Sequence, residues 1–204
     1  SAPGYLLFTD ADIVYAPETL TRLVAQAQAG GLVLNSLMVK LRCETFAERA
    51  FIPAFVFFFQ MLYPFAWVSD RAHRTAAAAG GCMLVKREAL TAAGGMETIR
   101  GALIDDCALA RALKRHGPIR LSLTERVHSI RSYPRMDDIR RMVARSAYTQ
   151  LGYSPLALAG MIVGMAVVYL VPVLLSLFAH GPLRTLGLLA WTIMTISFLP
   201  ILRF

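Results

Sequence analysis

The sequence predicts an α/β fold, a partial sheet domain followed by a C-terminal transmembrane helical hairpin, and three observations carry that prediction. Short β-forming apolar runs alternate with helical patterns from Tyr5 onward, the grammar of an α/β sheet. Every acidic residue lies at or before Asp138, and the 59 residues after Arg145 hold only two charged side chains, Arg184 and Arg203. The composition agrees: of 204 residues, 56% are hydrophobic and 17% charged, against about 25% charged in an average soluble domain. Disorder is excluded, and an ordinary soluble domain is disfavoured.

Taken in order, Tyr5 to Thr9 (YLLFT) is a continuous apolar run suited to a strand buried on both faces of a parallel sheet. It starts almost at the first residue, so the chain is expected to be the later part of a longer protein. Pro17 and Glu18 open a helix carrying Leu20, Leu23, Val24 and Ala27, and Gly30-Gly31 stop it. Leu32 to Val39 reads as a second strand. Phe51 to Val68 is uncharged for 18 residues and holds eight of the 20 aromatics, but Pro53, Pro64 and Gln60 interrupt it. Basic flanks on both sides, Arg42 and Arg49 before and Arg71 and Arg74 after, suit a segment lying in a membrane interface. A buried core helix is the other reading. Gly80 to Val85 is a glycine turn leading into a strand, Arg87 to Ala93 a short helix, Asp105 to His116 a helix with acids first and bases last, Ile119 to Leu123 a strand and Asp137 to Leu151 a helix.

The tail contains two uncharged stretches, 155–179 and 185–202. About 20 helical residues cross the hydrocarbon core, so both qualify as spans, and the short linker from His180 to Arg184 makes them an antiparallel hairpin. The net charge is +8, and ten of the 21 basic residues fall between Arg111 and Arg145. Positive charge beside a span marks the cytoplasmic side. With no recognisable binding motif, nucleic acid is not an expected partner. Cys43, Cys82 and Cys107 lack metal-ligand spacing and read as small buried residues in a reducing compartment. His73, His116, His128 and His180 show no paired ligand spacing, and no signal peptide is visible.

Two carboxylate pairs could do chemistry. Asp10-Ala11-Asp12 follows the first strand directly, and carboxylates at i and i+2 there can face a divalent cation such as Mg²⁺ or Mn²⁺, which prefers hard oxygens. The plainer reading is a turn in which Asp12 caps the loop or the next helix. Asp105-Asp106 opens a helix; adjacent acids repel, so one can hold a raised pKa and act as a general base. The plainer reading there is N-terminal capping.

In order, YLLFTDAD, GGCMLVKREALTAAGG and IDDCALARALKRHG resemble the family 2 glycosyltransferases of GT-A fold, and within them the hopene-associated glycosyltransferases of bacterial hopanoid clusters. The likeness covers nearly the whole chain, including FIPAFVFFFQMLYPF and RMVARSAYTQL. It implies inverting hexosyl transfer from a nucleotide-diphosphate sugar to a lipid acceptor. It also implies a multi-pass protein of the bacterial inner membrane with its catalytic domain in the cytoplasm. Asp10 and Asp12 would match the DxD that holds the metal and the donor diphosphate. Asp106 would match the catalytic base, Asp105 would orient it, and Gly80, Gly81 and Cys82 would line the acceptor side.

The chain departs from the family in two ways. The Q/R-x-x-R-W element of membrane-bound members reduces to Met142-Val143-Ala144-Arg145-Ser146. Arg145 could still pair with diphosphate or simply anchor the following span on the cytoplasmic side, and loss of the Trp argues against a processive synthase. The family's first half, with the Asp residues that grip the nucleotide, is missing from the front. Residues 1–150 are therefore expected to be the C-terminal part of a GT-A domain with an interfacial segment at 51–68, followed by spans within 155–204. Such a chain alone is expected to bind donor weakly or not at all. A polyprenyl-phosphate sugar transferase and a catalytically inactive membrane scaffold are the alternatives.

Overall fold

The computed structural model describes residues 3–102 and 104–202, apart from the side chains of residues 145 and 146. The chain divides between Arg140 and Arg141 into a sheet unit and a helical unit.

The described residues of the sheet unit form a five-stranded mixed sheet in the order β1-β4-β3-β5-β2, from β1 (Tyr5–Phe8), β2 (Ile13–Tyr15), β3 (Leu34–Lys40), β4 (Met83–Lys86) and β5 (Ile119–Ser129). β3 and β5 run parallel, while the β1–β4, β4–β3 and β5–β2 pairs are antiparallel. β3 is central, and Leu34 to Val39 are all buried. On one face Leu37 and Val39 join Leu84, Cys82 and Val127 against Leu23 and Ala27 of α1 (Thr19–Ala29). The amide of Asn35, on the same face, donates to the Leu23 carbonyl at 3.1 Å. α4 (Arg87–Ala92) follows β4, and α5 (Asp105–Lys114) packs with β3 and β5 through a buried set that includes Leu109 and Leu113.

Several elements differ from the sequence reading. The first strand ends at Phe8, is an edge strand paired antiparallel to β4, and is only half-buried. An apolar run reports burial, not how many neighbours a strand has, and here the partner lies some eighty residues along the chain. β5 continues past Leu123 to Ser129 through exposed Glu125 and Arg126, because its second half pairs with β2. β2, only three residues long, carries too little pattern to read. Cys82 and Cys107 are buried as expected, but Cys43 is exposed, in the loop after β3.

The aromatic segment is α2 (Phe46–Leu62) and α3 (Phe65–Ser69), separated at Tyr63-Pro64. α2 starts five residues before Phe51 because Thr45 and Glu48 form a reciprocal capping box. Ile52 and Val56 are buried, whereas Phe46, Phe51, Met61, Leu62 and Trp67 are exposed. Glu48 is wholly buried, yet it accepts from Glu44 N and Thr45 N at 2.9 Å and from Tyr133 N at 2.6 Å. Burial pushes its pKa up, but those three N–H groups outweigh it and hold the carboxyl at about 2. One carboxylate thus ties the start of α2 to the loop before α6 (Met136–Gln150). Lys114 at the end of α5 does the same for α3, donating to the carbonyls of Trp67 at 3.2 Å, Val68 at 2.8 Å and Thr75 at 2.6 Å.

In the helical unit, α7 (Pro155–Met165), a π turn (Ala166–Leu170) and α8 (Val171–Phe178) form one 24-residue apolar rod, and α9 (Pro182–Leu202) a second of 21 residues. Each is long and apolar enough to cross a membrane, at about 1.5 Å of rise per residue. The wider turn sits just ahead of Pro172, whose ring has no N–H and crowds the carbonyl four residues earlier. α8 and α9 approach closely at Gly187, where a Cβ would lie 2.7 Å from Ser176 N and 2.9 Å from Pro172 O.

Gly187→Val should therefore loosen the hairpin by about 1–3 kcal/mol, read as a lower Tm in detergent. Gly160→Val, where nothing lies within 4 Å of the added Cβ, should leave Tm nearly unchanged. Glu48→Gln should cost about 1–3 kcal/mol. Because the folded pKa is depressed from 4.5 to about 2, the Glu48 contribution is complete above pH 4.5 and disappears as pH falls through about 2. The stability difference between wild type and variant, followed by denaturant titration, should narrow over that window.

Candidate active site

β1, β3 and β5 run in one direction and β4 and β2 in the other. The carboxyl ends of the first three and the amino ends of the other two therefore share one edge of the sheet, where open α/β sheets bind ligands. Asp10-Ala11-Asp12 connects β1 to β2 along this edge, and Gly80-Gly81-Cys82 leads into β4 beside it. Thr9 Oγ1 donates to the Gly81 carbonyl at 3.0 Å, and Tyr15 Oη donates to Thr9 Oγ1 at 2.8 Å. Burial pushes the Tyr15 hydroxyl up to about 12, so it remains a donor. Gly81 has to be glycine, since a Cβ would meet Val39 Cγ2 at 2.8 Å. Cys82 is fully buried beneath the turn.

On the other side of that turn Gly80 N–H donates to Asp106 Oδ2 at 3.0 Å, while Cys107 N–H donates to Asp106 Oδ1 at 2.7 Å. Asp105 is exposed, and its Oδ1 accepts from Asp106 N at 2.9 Å. Burial raises the Asp106 pKa and the neighbouring Asp105 charge adds to it, against the lowering effect of the Cys107 and Gly80 N–H groups. The two acids at this helix start thus differ: one is an exposed first-turn acid, the other a half-buried carboxyl with an elevated pKa. Burial also pushes the Cys107 thiol up to about 12, which leaves it unreactive.

Asp12 is the better-held member of the first pair. Ser129 Oγ donates to its Oδ2 at 2.5 Å, Arg131 Nη2 to its Oδ1 at 3.2 Å, and Ile130 N to its main-chain carbonyl at 2.9 Å. Asp10 is exposed. No third His, Cys, Asp or Glu gathers with them among the described residues. The pair can offer a cation two carboxylates, a number with which Mg²⁺ is held when substrate phosphates and water complete its shell. The donor set fits a divalent cation once Asp12 is released from Arg131.

An open groove of about 480 Å³ adjoins Asp12 through Ser129, and its walls include Lys40, Arg42, Cys43 and His128. Lys40 and His128 face each other in the β3–β5 register. The sequence reading omitted Thr9, Tyr15, Ser129 and Arg131. Only Thr9, adjoining the acid pair, carried a local signal; the other three reach the edge through strand pairings set by the fold. Arg145 lies in α6, with its side chain outside the described residues.

A protein-family model described as Glycosyl transferase family 21 matches residues 3–204. No curated protein matches the chain. The matched family differs in number from the family 2 resemblance, and glycosyl transfer is common to both.

The two turn glycines should behave differently on substitution. Gly81→Ala is expected to destabilise the sheet unit by about 1–3 kcal/mol, because Val39 is a buried core residue and has little room to move. Gly80→Ala, whose Cβ would sit 3.5 Å from Asp106 Oδ2, should keep the wild-type Tm. Thermal unfolding of both variants in detergent checks the pair.

Proposed function

The chain belongs to glycosyl transferase family 21, and we propose that it is a membrane-bound inverting glycosyltransferase that moves a sugar from a nucleotide-diphosphate donor to a lipid acceptor. One observation carries this reading. The Gly80-Gly81 turn is bonded on one side to Thr9, adjoining the Asp10-Ala11-Asp12 loop, and on the other to Asp106, so the two acid motifs flank one short turn at the ligand-binding edge of a sheet.

In this reading Asp106 is the base. Its carboxylate takes the proton of the acceptor hydroxyl as that oxygen bonds to the anomeric carbon. The bond from the anomeric carbon to the diphosphate breaks on the opposite face, and the nucleoside diphosphate leaves with the electron pair. A base needs a pKa lifted toward the working pH, and the burial of Asp106 works in that direction. Asp105 orients Asp106 by capping its N–H and adds negative charge beside it. Asp10 and Asp12 would hold Mg²⁺ or Mn²⁺, which when bound neutralises charge on the departing diphosphate. Gly80 and Gly81 would line the acceptor side without side-chain bulk, above the buried side chain of Cys82.

The GT-A assignment and the hopanoid connection belong to the same proposal and draw on the three motifs in their order along the chain. Its membrane side draws on the two apolar rods of the helical unit and on the exposed aromatics of α2 and α3. Those aromatics would dock at the bilayer surface, with the basic block before the spans keeping the sheet unit in the cytoplasm. A lipid-phosphate acceptor is the second reading, and the groove beside Asp12 favours it through Lys40 and His128, with Arg42 on the same wall paired to Glu44.

Asp106→Asn in the full-length protein should lower sugar transfer from a radiolabelled donor about 10²–10⁴-fold; unchanged product would remove the base assignment. The acid limb of wild-type kcat/KM should lie above the ordinary carboxylate range, since activity requires the ionised form and burial raises its pKa. Asp105→Asn should move that limb to lower pH by removing the adjacent charge. Mass spectrometry of the product with lipid-alcohol and lipid-phosphate acceptors separates the two acceptor readings.

A further inference from the structure

The Asp12 carboxylate already has a cation beside it, supplied by the chain itself. Ser129 Oγ holds one carboxylate oxygen at 2.5 Å and Arg131 Nη2 holds the other at 3.2 Å. Ser129 Oγ also accepts from the main-chain N–H of Arg131 at 3.1 Å, so a single hydroxyl fixes both the carboxylate and the turn that presents the guanidinium. The Asp12 side chain is 21% exposed and that of Arg131 59%. The guanidinium can therefore swing into solvent, whereas the carboxylate stays bonded to Ser129 and the Asp12 backbone stays pinned by the Ile130 N–H. The Tyr133 side chain also bonds Arg131, and the charge of Asp10 adds to that of Asp12 there more weakly.

We propose that Arg131 is a tethered counter-ion for the Asp10/Asp12 pair: it occupies Asp12 in the ligand-free protein, competes with a divalent cation for that carboxylate, and turns to the donor diphosphate when displaced. Ser129 is the positioning residue that keeps Asp12 in place through the exchange. A guanidinium offers planar, bidentate hydrogen bonding that suits carboxylate and phosphate alike, so the same group can serve either partner. A divalent ion alone then binds weakly, because it must evict an internal cation. An ion arriving with a diphosphate binds more tightly, because the evicted cation gains a partner; by linkage the ion strengthens diphosphate binding equally. This inference rests on the reading of Asp10 and Asp12 as the cation-holding pair.

The test is Mn²⁺ affinity without nucleotide, read by electron paramagnetic resonance of the free ion, on the full-length protein in detergent. Arg131→Gln should bind Mn²⁺ about three- to fivefold tighter, the size of one screened ion pair removed. Arg131→Lys, which keeps the charge, should stay near wild type, and Asp12→Asn should weaken binding at least about tenfold. Because Arg131 is more than half exposed, Arg131→Ala gives the same readout should the Gln variant fold poorly. If the neutral variants bind Mn²⁺ no tighter while Asp12→Asn loses it, the counter-ion role is wrong and the cation assignment stands. If Asp12→Asn binds as wild type does, the cation assignment fails and the inference falls with it.

Discussion

The hydrogen bond from Gly80 N–H to Asp106 Oδ2 is the interaction on which the rest of the site depends. It joins a turn at the mouth of β4 to the first turn of α5. Asp106 cannot swing away without leaving Gly80 N–H without this partner, and its pKa is the balance between burial, which raises it, and the Cys107 and Gly80 N–H groups, which lower it. The turn is fixed in its own right: Val39 leaves Gly81 no room for a side chain, and Thr9 holds the Gly81 carbonyl. A shift in any of these neighbours would be felt at Asp106, so the chemistry of one carboxyl is tied to the packing of the central strand.

What could be read from the sequence follows from where each signal is stored. α1 and α5 were legible because their starts, stops and apolar faces are local patterns, and Asp105-Asp106 fall in the first turn of α5, where the helix dipole favours acids. The edge position of β1 was not legible, since it depends on a partner strand far along the chain. Thr45 and Glu48 did carry a readable capping signature, three residues apart before an apolar run. The long uncharged stretch that begins at Phe51 masks it, because its apolar signal is stronger than that of a single cap. The reach of Glu48 to Tyr133 had no signal at all, because no local pattern encodes a contact between distant loops.

The same distinction holds at the site. Asp10, Asp12, Gly80, Gly81 and Asp106 stand out as types in short motifs, and the fold brings those motifs to one sheet edge. Ser129 and Arg131 do not stand out. They lie at and just beyond the end of β5, and only the β2–β5 pairing of Ile13 with Ser129 delivers them to Asp12. Motifs mark which residues can react, while strand register decides what restrains them.

The π turn at Ala166–Leu170 has a consequence for the helical rod that contains it. A π turn takes up about one residue more than an α turn, and one helical residue corresponds to about 100° of rotation. The stripe of α8 that meets α9 therefore does not continue along α7; the phase of the rod is reset between them. The α7 residues that fall on that stripe are therefore displaced by about one position in sequence from those of an uninterrupted helix.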